Sequence, residues 1–197
     1  VSRHERGTSL LELLITAAII GIFALLAVPA FATYRRHAAV TDAAAEIRAI
    51  FRLVRSRAIT RHNASAIKFA KTGNQWTYAL HDDGDGDGVR NDDIASGVDK
   101  HFAPPRLLLT HSKLASIELP PNLSIKDPDG EKLTSDSSAV QFGRSTLCSF
   151  SYEGESTPGT IYITDRAGEL WCARVYGATG KVRLLRYNSG SRRWDRR

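Results

Sequence analysis

Leu10 to Ala32 is a run of 23 residues with one ionisable side chain, Glu12. A run this long and this apolar reads as a membrane-spanning helix. An ionised carboxylate inside such a helix costs about 2.5–3.5 kcal/mol on insertion scales unless a partner meets it. The chain is therefore expected to be anchored, with a cation waiting for Glu12. Arg3 and Arg6 precede the run, which places the N-terminus in the cytoplasm and the rest of the chain across the membrane. A secretory signal would have a shorter apolar core followed by a small-residue cleavage site. Ala27-Val28-Pro29-Ala30-Phe31-Ala32 offers small residues, but the early Glu12 and the helical pattern beyond Ala32 favour a retained anchor.

Past Pro29, Val40, Ala43, Ala44, Ile47, Phe51, Val54 and Ala58 recur at steps of three and four. That spacing gives one apolar helix face, and Arg48, Arg52 and Arg55 share another. A helix from about Thr8 to Thr60 would be on the order of 80 Å long at 1.5 Å per residue. It is apolar all round over residues 8–32 and amphipathic over 33–62. After His62-Asn63 the period changes to two. Strands are expected at Ala66–Ala70, Gln75–His81, Ser116–Leu119, Leu123–Lys126, Ala139–Phe142, Ser149–Tyr152, Thr160–Thr164, Leu170–Val175 and Val182–Tyr187, separated by Gly-, Asn-, Asp- and Pro-rich turns. One long helix followed by many strands predicts an α+β fold, the helix packed on antiparallel sheet, with residues 63–197 forming a β-rich domain outside the cytoplasm.

Arg6-Gly7-Thr8-Ser9-Leu10-Leu11-Glu12 resembles the processing site of type IV prepilins. The resemblance implies a leader of residues 1–7, cut by prepilin peptidase between Gly7 and Thr8, and methylation of the new N-terminus. It also implies that Glu12 faces the terminal amine of a neighbouring subunit and that Pro29 loosens the helix. Thr8 stands where these proteins usually carry Phe. Val140-Gln141-Phe142-Gly143-Arg144, Pro158-Gly159-Thr160-Ile161-Tyr162-Ile163 and Gly180-Lys181-Val182-Arg183 resemble the GspH/FimT family. That likeness implies a minor pseudopilin in the bacterial inner membrane, its C-terminal domain in the periplasm, assembling with other pseudopilins in a type II secretion pseudopilus. The alternative within the family is a type IV pilus minor pilin that binds DNA. With no Met and Val1 first, either an initiator is missing or a non-standard start codon was read literally, and a leader longer than seven residues fits both.

Outside the helix the strongest motif is Asp82-Asp83-Gly84-Asp85-Gly86-Asp87-Gly88-Val89-Arg90-Asn91-Asp92-Asp93. Carboxylates at alternate positions, Asp83, Asp85 and Asp87, can converge on one hard cation, with Gly88 giving the turn and the Val89 carbonyl the next ligand. Ile94 stands where an EF-hand has its bidentate Glu, so Asp92 or Asp93 would substitute in a Ca²⁺-clipped loop flanked by strand and coil. The competing account is a solvated Asp-Gly turn.

The net charge of +6 is concentrated in the tail, where Lys181, Arg183, Arg186, Arg192, Arg193, Arg196 and Arg197 alternate with Tyr187 and Trp194. Such a cluster can neutralise phosphates and stack bases. In some relatives a Gly-Arg-x-Arg element binds DNA, and the resemblance transfers that role to Lys181, Arg183 and Arg186. Lys181 replaces the first Arg, keeping charge but losing the planar fork. Cys148 and Cys172 both fall in the part expected to be periplasmic, where they could form a disulfide. Enzyme motifs fail. Gly177-Ala178-Thr179-Gly180-Lys181 lacks the first glycine and the Ser/Thr of a phosphate loop, and the histidines have no metal-ligand spacing, so the chain is not expected to be an enzyme.

Overall fold

A computed structural model describes residues 10–73, 75–110 and 114–196. Gly7 and Thr8, the expected processing site, lie outside the described residues. The chain divides into two compact units, residues 1–36 and 37–197. One helix, α1 (Leu10–Arg61), contributes to both and runs through Pro29. In the first unit every described residue is exposed, including Leu11, Leu14, Ile20, Phe23 and Leu26. A helix apolar on all sides needs lipid or other helices around it, and α1 is long and apolar enough to cross a membrane.

In the second unit α1 buries the stripe read from its spacing: Val40, Ala43, Ala44, Ile47, Phe51, Val54 and Ala58. It packs on two antiparallel sheets. The first has the order β3 (His101–Leu107), β2 (Gln75–Asp82), β1 (Ser65–Thr72) and β7 (Leu147–Phe150). The second runs β11 (Arg193–Arg196), β10 (Lys181–Asn188), β9 (Leu170–Tyr176), β8 (Gly159–Thr164) and β6 (Val140–Phe142). A small hairpin joins β4 (Ser124–Lys126) to β5 (Lys132–Thr134). The fold is α+β, with a long helix over antiparallel sheets.

Phe51 joins the layers. Its ring meets Phe69 of β1 at 6.0 Å and Phe142 of β6 at 5.8 Å, both edge-on, and Phe150 of β7 at 6.3 Å. Aromatic pairs at these separations add to the burial energy. Gly159 permits the close approach of β6 to β8, because a Cβ there would lie 2.2 Å from the Phe142 ring and 2.3 Å from the Gln141 carbonyl.

Several expected elements move. Ser116–Leu119 is not a strand: Ser116 alone bridges to Thr164, and the Pro120-Pro121 pair that follows has no N–H to extend a ladder. Ser149–Tyr152 shifts to Leu147–Phe150, in register with β1. His101–Leu107 is a strand despite Pro104 and Pro105, because it lies at a sheet edge where a missing donor is tolerated. Arg193–Arg196 is also a strand, pairing Arg193, Trp194, Asp195 and Arg196 with Asn188, Tyr187, Arg186 and Leu185.

The expected disulfide is corrected. Cys148 and Cys172 are free and buried. Alternation along β9 puts Trp171, Ala173 and Val175 in the main core, which also holds Cys148. Cys172 points to the opposite face, among Leu133, Tyr162, Leu170 and Leu185. Burial pushes both thiols well above their ordinary pKa.

Candidate functional site

The acidic loop is built from β2 outward. Asp82 ends that strand and is held by Arg57 of α1, whose Nε donates to the two carboxylate oxygens at 2.8 and 3.1 Å, while Ser65 Oγ donates at 2.8 Å. Burial alone would raise the Asp82 carboxyl, but the hydrogen bonds from Arg57 and Ser65 outweigh it and hold the pKa below the usual carboxylate range. The same guanidinium lies 3.8 Å over the Phe102 ring. The root of the loop is thus tied to α1 and to β3.

Asp83 is buried and organises the turn. One oxygen accepts the Asp85 and Gly86 N–H groups at 3.2 and 2.8 Å, and the other accepts Gly88 N–H at 3.0 Å. Gly86 and Gly88 both have φ of +91°, a region that L side chains avoid. Carboxylate oxygens of Asp83, Asp85 and Asp87 come within 4.8 Å of one another. A Ca²⁺ ion sits 2.3–2.6 Å from each of its oxygens, so one ion can bridge that span, and the Asp83 oxygen that accepts only Gly88 N–H keeps a lone pair for it. The trio fits a hard cation. Arg90 already pairs with Asp87 across the turn.

Asp92 and Asp93 are not among the three carboxylates that converge. Val89, expected to offer its carbonyl, buries its side chain with Ala66 and Leu147. Asp92 and Asp93 begin a short helix, α2 (Asn91–Ser96), where coil was expected, closed by Gly97 in the left-handed conformation. Lost hydration, then the nearby Asp85 and Asp99 charges, raise the Asp93 carboxyl above its ordinary range. Lost hydration and Asp85 do the same for Asp87, against the pull of Arg90. Sequence reading missed Asp99, which is buried and accepts Gly84 N–H and Arg90 N–H, each at 2.9 Å. It clamps both ends of the loop, and as a lone Asp outside the alternating run it left no pattern to find.

The basic tail separates into two groups. Lys181 and Arg183 of β10 meet Arg196 of β11 and, unexpectedly, Arg52 and Arg55 of α1 around a cleft of about 390 Å³. Arg186, expected to bind DNA, instead donates from Nε to Glu169 at 2.9 Å, beside the indole N–H of Trp171, which donates to the same carboxylate at 3.0 Å. The interleaved aromatics are also committed. Trp194 packs against Tyr162 at 6.0 Å and Tyr187 at 5.3 Å and donates its indole N–H to the Lys126 carbonyl at 2.9 Å.

Glu12 stands in the first turn of α1 as described, and Pro29 in its apolar part. Among the described residues Glu12 has no hydrogen bond or ion pair. A helix apolar at its start, with its amphipathic half laid on antiparallel sheets, defines the pilin-like class of subunit. The chain belongs to the GspH family: the family model described as type II transport protein GspH matches residues 43–180. No curated protein and no solved structure matches the chain. The match includes the acidic loop and stops just before Lys181, so the basic cleft straddles its boundary.

Proposed function

We propose that the protein is a minor pseudopilin, a structural subunit of a type II secretion pseudopilus with its β-rich domain in the periplasm. One observation carries this beyond family membership: a single acidic side chain lies in an otherwise uncharged, fully exposed apolar stretch of α1, residues 10–32. Prepilin peptidase would remove residues 1–7 by cutting after Gly7, and methylation would follow at Thr8. The apolar half of α1 then packs against other subunits, and Glu12 meets the cationic terminus of one of them. The role is structural, with no chemistry performed on a substrate. Incorporation tests it: recovery of the processed chain in sheared filaments supports the reading, and recovery only in the membrane overturns it.

Calcium would act as a clip on the loop at Asp83, Asp85 and Asp87, drawing together carboxylates that otherwise repel. At about 10 mM Ca²⁺, a site of ordinary extracellular strength should raise the melting temperature by roughly 3–8 °C. Asp85→Asn and Asp87→Asn should each remove most of that shift. A melting curve unchanged by Ca²⁺ eliminates the clip.

The second reading, a type IV pilus minor pilin that captures DNA, is favoured by the convergence of Arg52, Arg55, Lys181, Arg183 and Arg196. Phosphate neutralisation by such a cluster makes binding steeply salt-dependent. Retardation of a short duplex at low salt, lost in Lys181→Ala/Arg183→Ala, supports it, and unretarded DNA dismisses it.

A further inference from the structure

The outer edge of the second sheet is only partly covered. β11 pairs with β10 from Asn188↔Arg193 to Leu185↔Arg196 and no further. Lys181, Val182, Arg183 and Leu184 pair with β9, and on their other side they have no strand partner among the described residues. This stretch is an open sheet edge, the template on which another strand can add. The basic cleft runs along it: Lys181, Val182 and Arg183 line it together with Arg196 of β11 and Arg52 and Arg55 of α1. Arg52, Lys181, Arg183 and Arg196 are exposed, and among the described residues none of them forms an ion pair.

Register places cations on both faces of that edge. Side chains alternate along a strand. Val182 and Leu184 pack with the core that α1 covers, so Lys181 and Arg183 belong to the opposite face. Arg196 stands across from Leu185 and shares that second face, where Leu185 packs with Tyr162 and Cys172. Arg52 and Arg55 come from α1, on the Val182 side. Arg55 is fixed there, its Nε donating to the Gly154 carbonyl at 3.5 Å. Gly180 leaves it room, since a Cβ at that position would lie 2.9 Å from Nε and 2.4 Å from the same carbonyl. Charges along an edge guard it against casual pairing. A neutral strand laid here would leave the five cations repelling one another. A second copy of this edge would set like charges directly across from Lys181 and Arg183. A strand with carboxylates toward both faces offsets both groups.

We propose that the open edge of β10 takes an extended acidic segment of a different subunit as an added strand, an inference that rests on the filament reading above. Backbone pairing supplies the affinity and the cations select the partner, by attraction for an acidic strand and repulsion of any other. A minor subunit has unlike neighbours, which matches an edge that repels its own copy. Nucleic acid is the weaker occupant. Its phosphates cannot continue a strand ladder, and Arg186, Tyr187 and Trp194, which would extend a phosphate track and stack bases, are engaged within the domain.

The test titrates the full chain in detergent into a fluorescent peptide, acetyl-Thr-Glu-Glu-Val-Glu-Glu-Thr-amide, and follows anisotropy. Binding is expected. N-methylating the central amides keeps every charge but removes the backbone donors, and should weaken it about tenfold or more. Arg52→Ala/Arg183→Ala should weaken it as much, whereas Lys126→Ala/Lys132→Ala, which removes the same charge elsewhere, should change it less than about twofold. Equal binding of the methylated and parent peptides reduces the edge to plain charge attraction and overturns the proposal. Equal weakening by the two double variants does the same. So does a short DNA duplex retarded through Arg52 and Arg183 while the peptide stays free. In cells, Ala178→benzoylphenylalanine, at an exposed position just before β10, should cross-link on illumination to an Asp- or Glu-bearing segment of a different subunit. Capture of a second copy of this chain overturns the proposal. Arg52→Ala/Arg183→Ala entering filaments at the parental level overturns the edge contact alone, whereas a parent chain that binds the peptide but never enters filaments overturns the filament reading.

Discussion

Glu12→Ala is expected to leave the protein in the membrane and remove it from the filament. The substitution lowers the cost of insertion, since a charge in the apolar core costs about 2.5–3.5 kcal/mol on insertion scales. Poor membrane insertion therefore cannot explain lost assembly. What disappears is the attraction between the carboxylate and a cation on a neighbour, which is strong where water is scarce. If that pairing supplies about 2 kcal/mol, incorporation relative to the membrane pool should fall roughly thirtyfold. Glu12→Gln, which keeps shape and loses charge, should fall nearly as far, while Leu13→Ala should remain close to wild type. Quantitative blotting of sheared and membrane fractions measures the ratio. Equal incorporation of Glu12→Ala and the parent chain would remove the electrostatic account of assembly.

Phe51→Ala should be the most damaging single change in the domain. The side chain is fully buried and touches rings from both sheets, so its removal opens a cavity that neither sheet can close alone. Loss of a buried Phe costs about 3–5 kcal/mol, against a total stability of roughly 5–15 kcal/mol. A domain of this size loses about 2–4 °C per kcal/mol, so the melting temperature should fall by roughly 6–20 °C. Leu53→Ala is the control: Leu53 sits two residues away but is 56% exposed, and its loss should change stability by about 0.5 kcal/mol or less. Thermal melts of the three chains decide. Equal shifts for Phe51→Ala and Leu53→Ala would mean that α1 does not dock through this face.

The elements written as strong local patterns were legible in the sequence. The seven apolar positions from Val40 to Ala58 are the seven that α1 buries, because a helix docked along one side has no other way to hide them. β1, β2, β8, β9 and β10 lie where period-two alternation put them, within a residue or two. β3 was hidden by Pro104 and Pro105, whose lack of N–H matters only if the strand has neighbours on both sides. β11 was hidden by its charges, since Arg193, Asp195 and Arg196 look solvated whether or not their backbone is paired. The division into two sheets was not readable, because alternation gives a strand two faces without naming its partners.

The candidate sites show the same limit. Asp83, Asp85 and Asp87 converge because they are neighbours in sequence, and one turn brings them together. Arg52 and Arg55 join Lys181 and Arg183 only because α1 crosses the sheet holding β10, a juxtaposition that no local spacing encodes. Arg186 counted as part of the basic tail until the neighbouring Glu169 carboxylate was seen to hold it. Charge in the sequence showed how many cations there are, and the fold decides which of them are free to act.

Cys148 and Cys172 lie in separate apolar clusters, with burial raising both thiols. A thiol must ionise and be reachable to exchange, and these are neither ionised nor reachable. The domain can thus reach its mature form without an oxidase or isomerase, and it is as well suited to a compartment rich in oxidants as to one rich in glutathione.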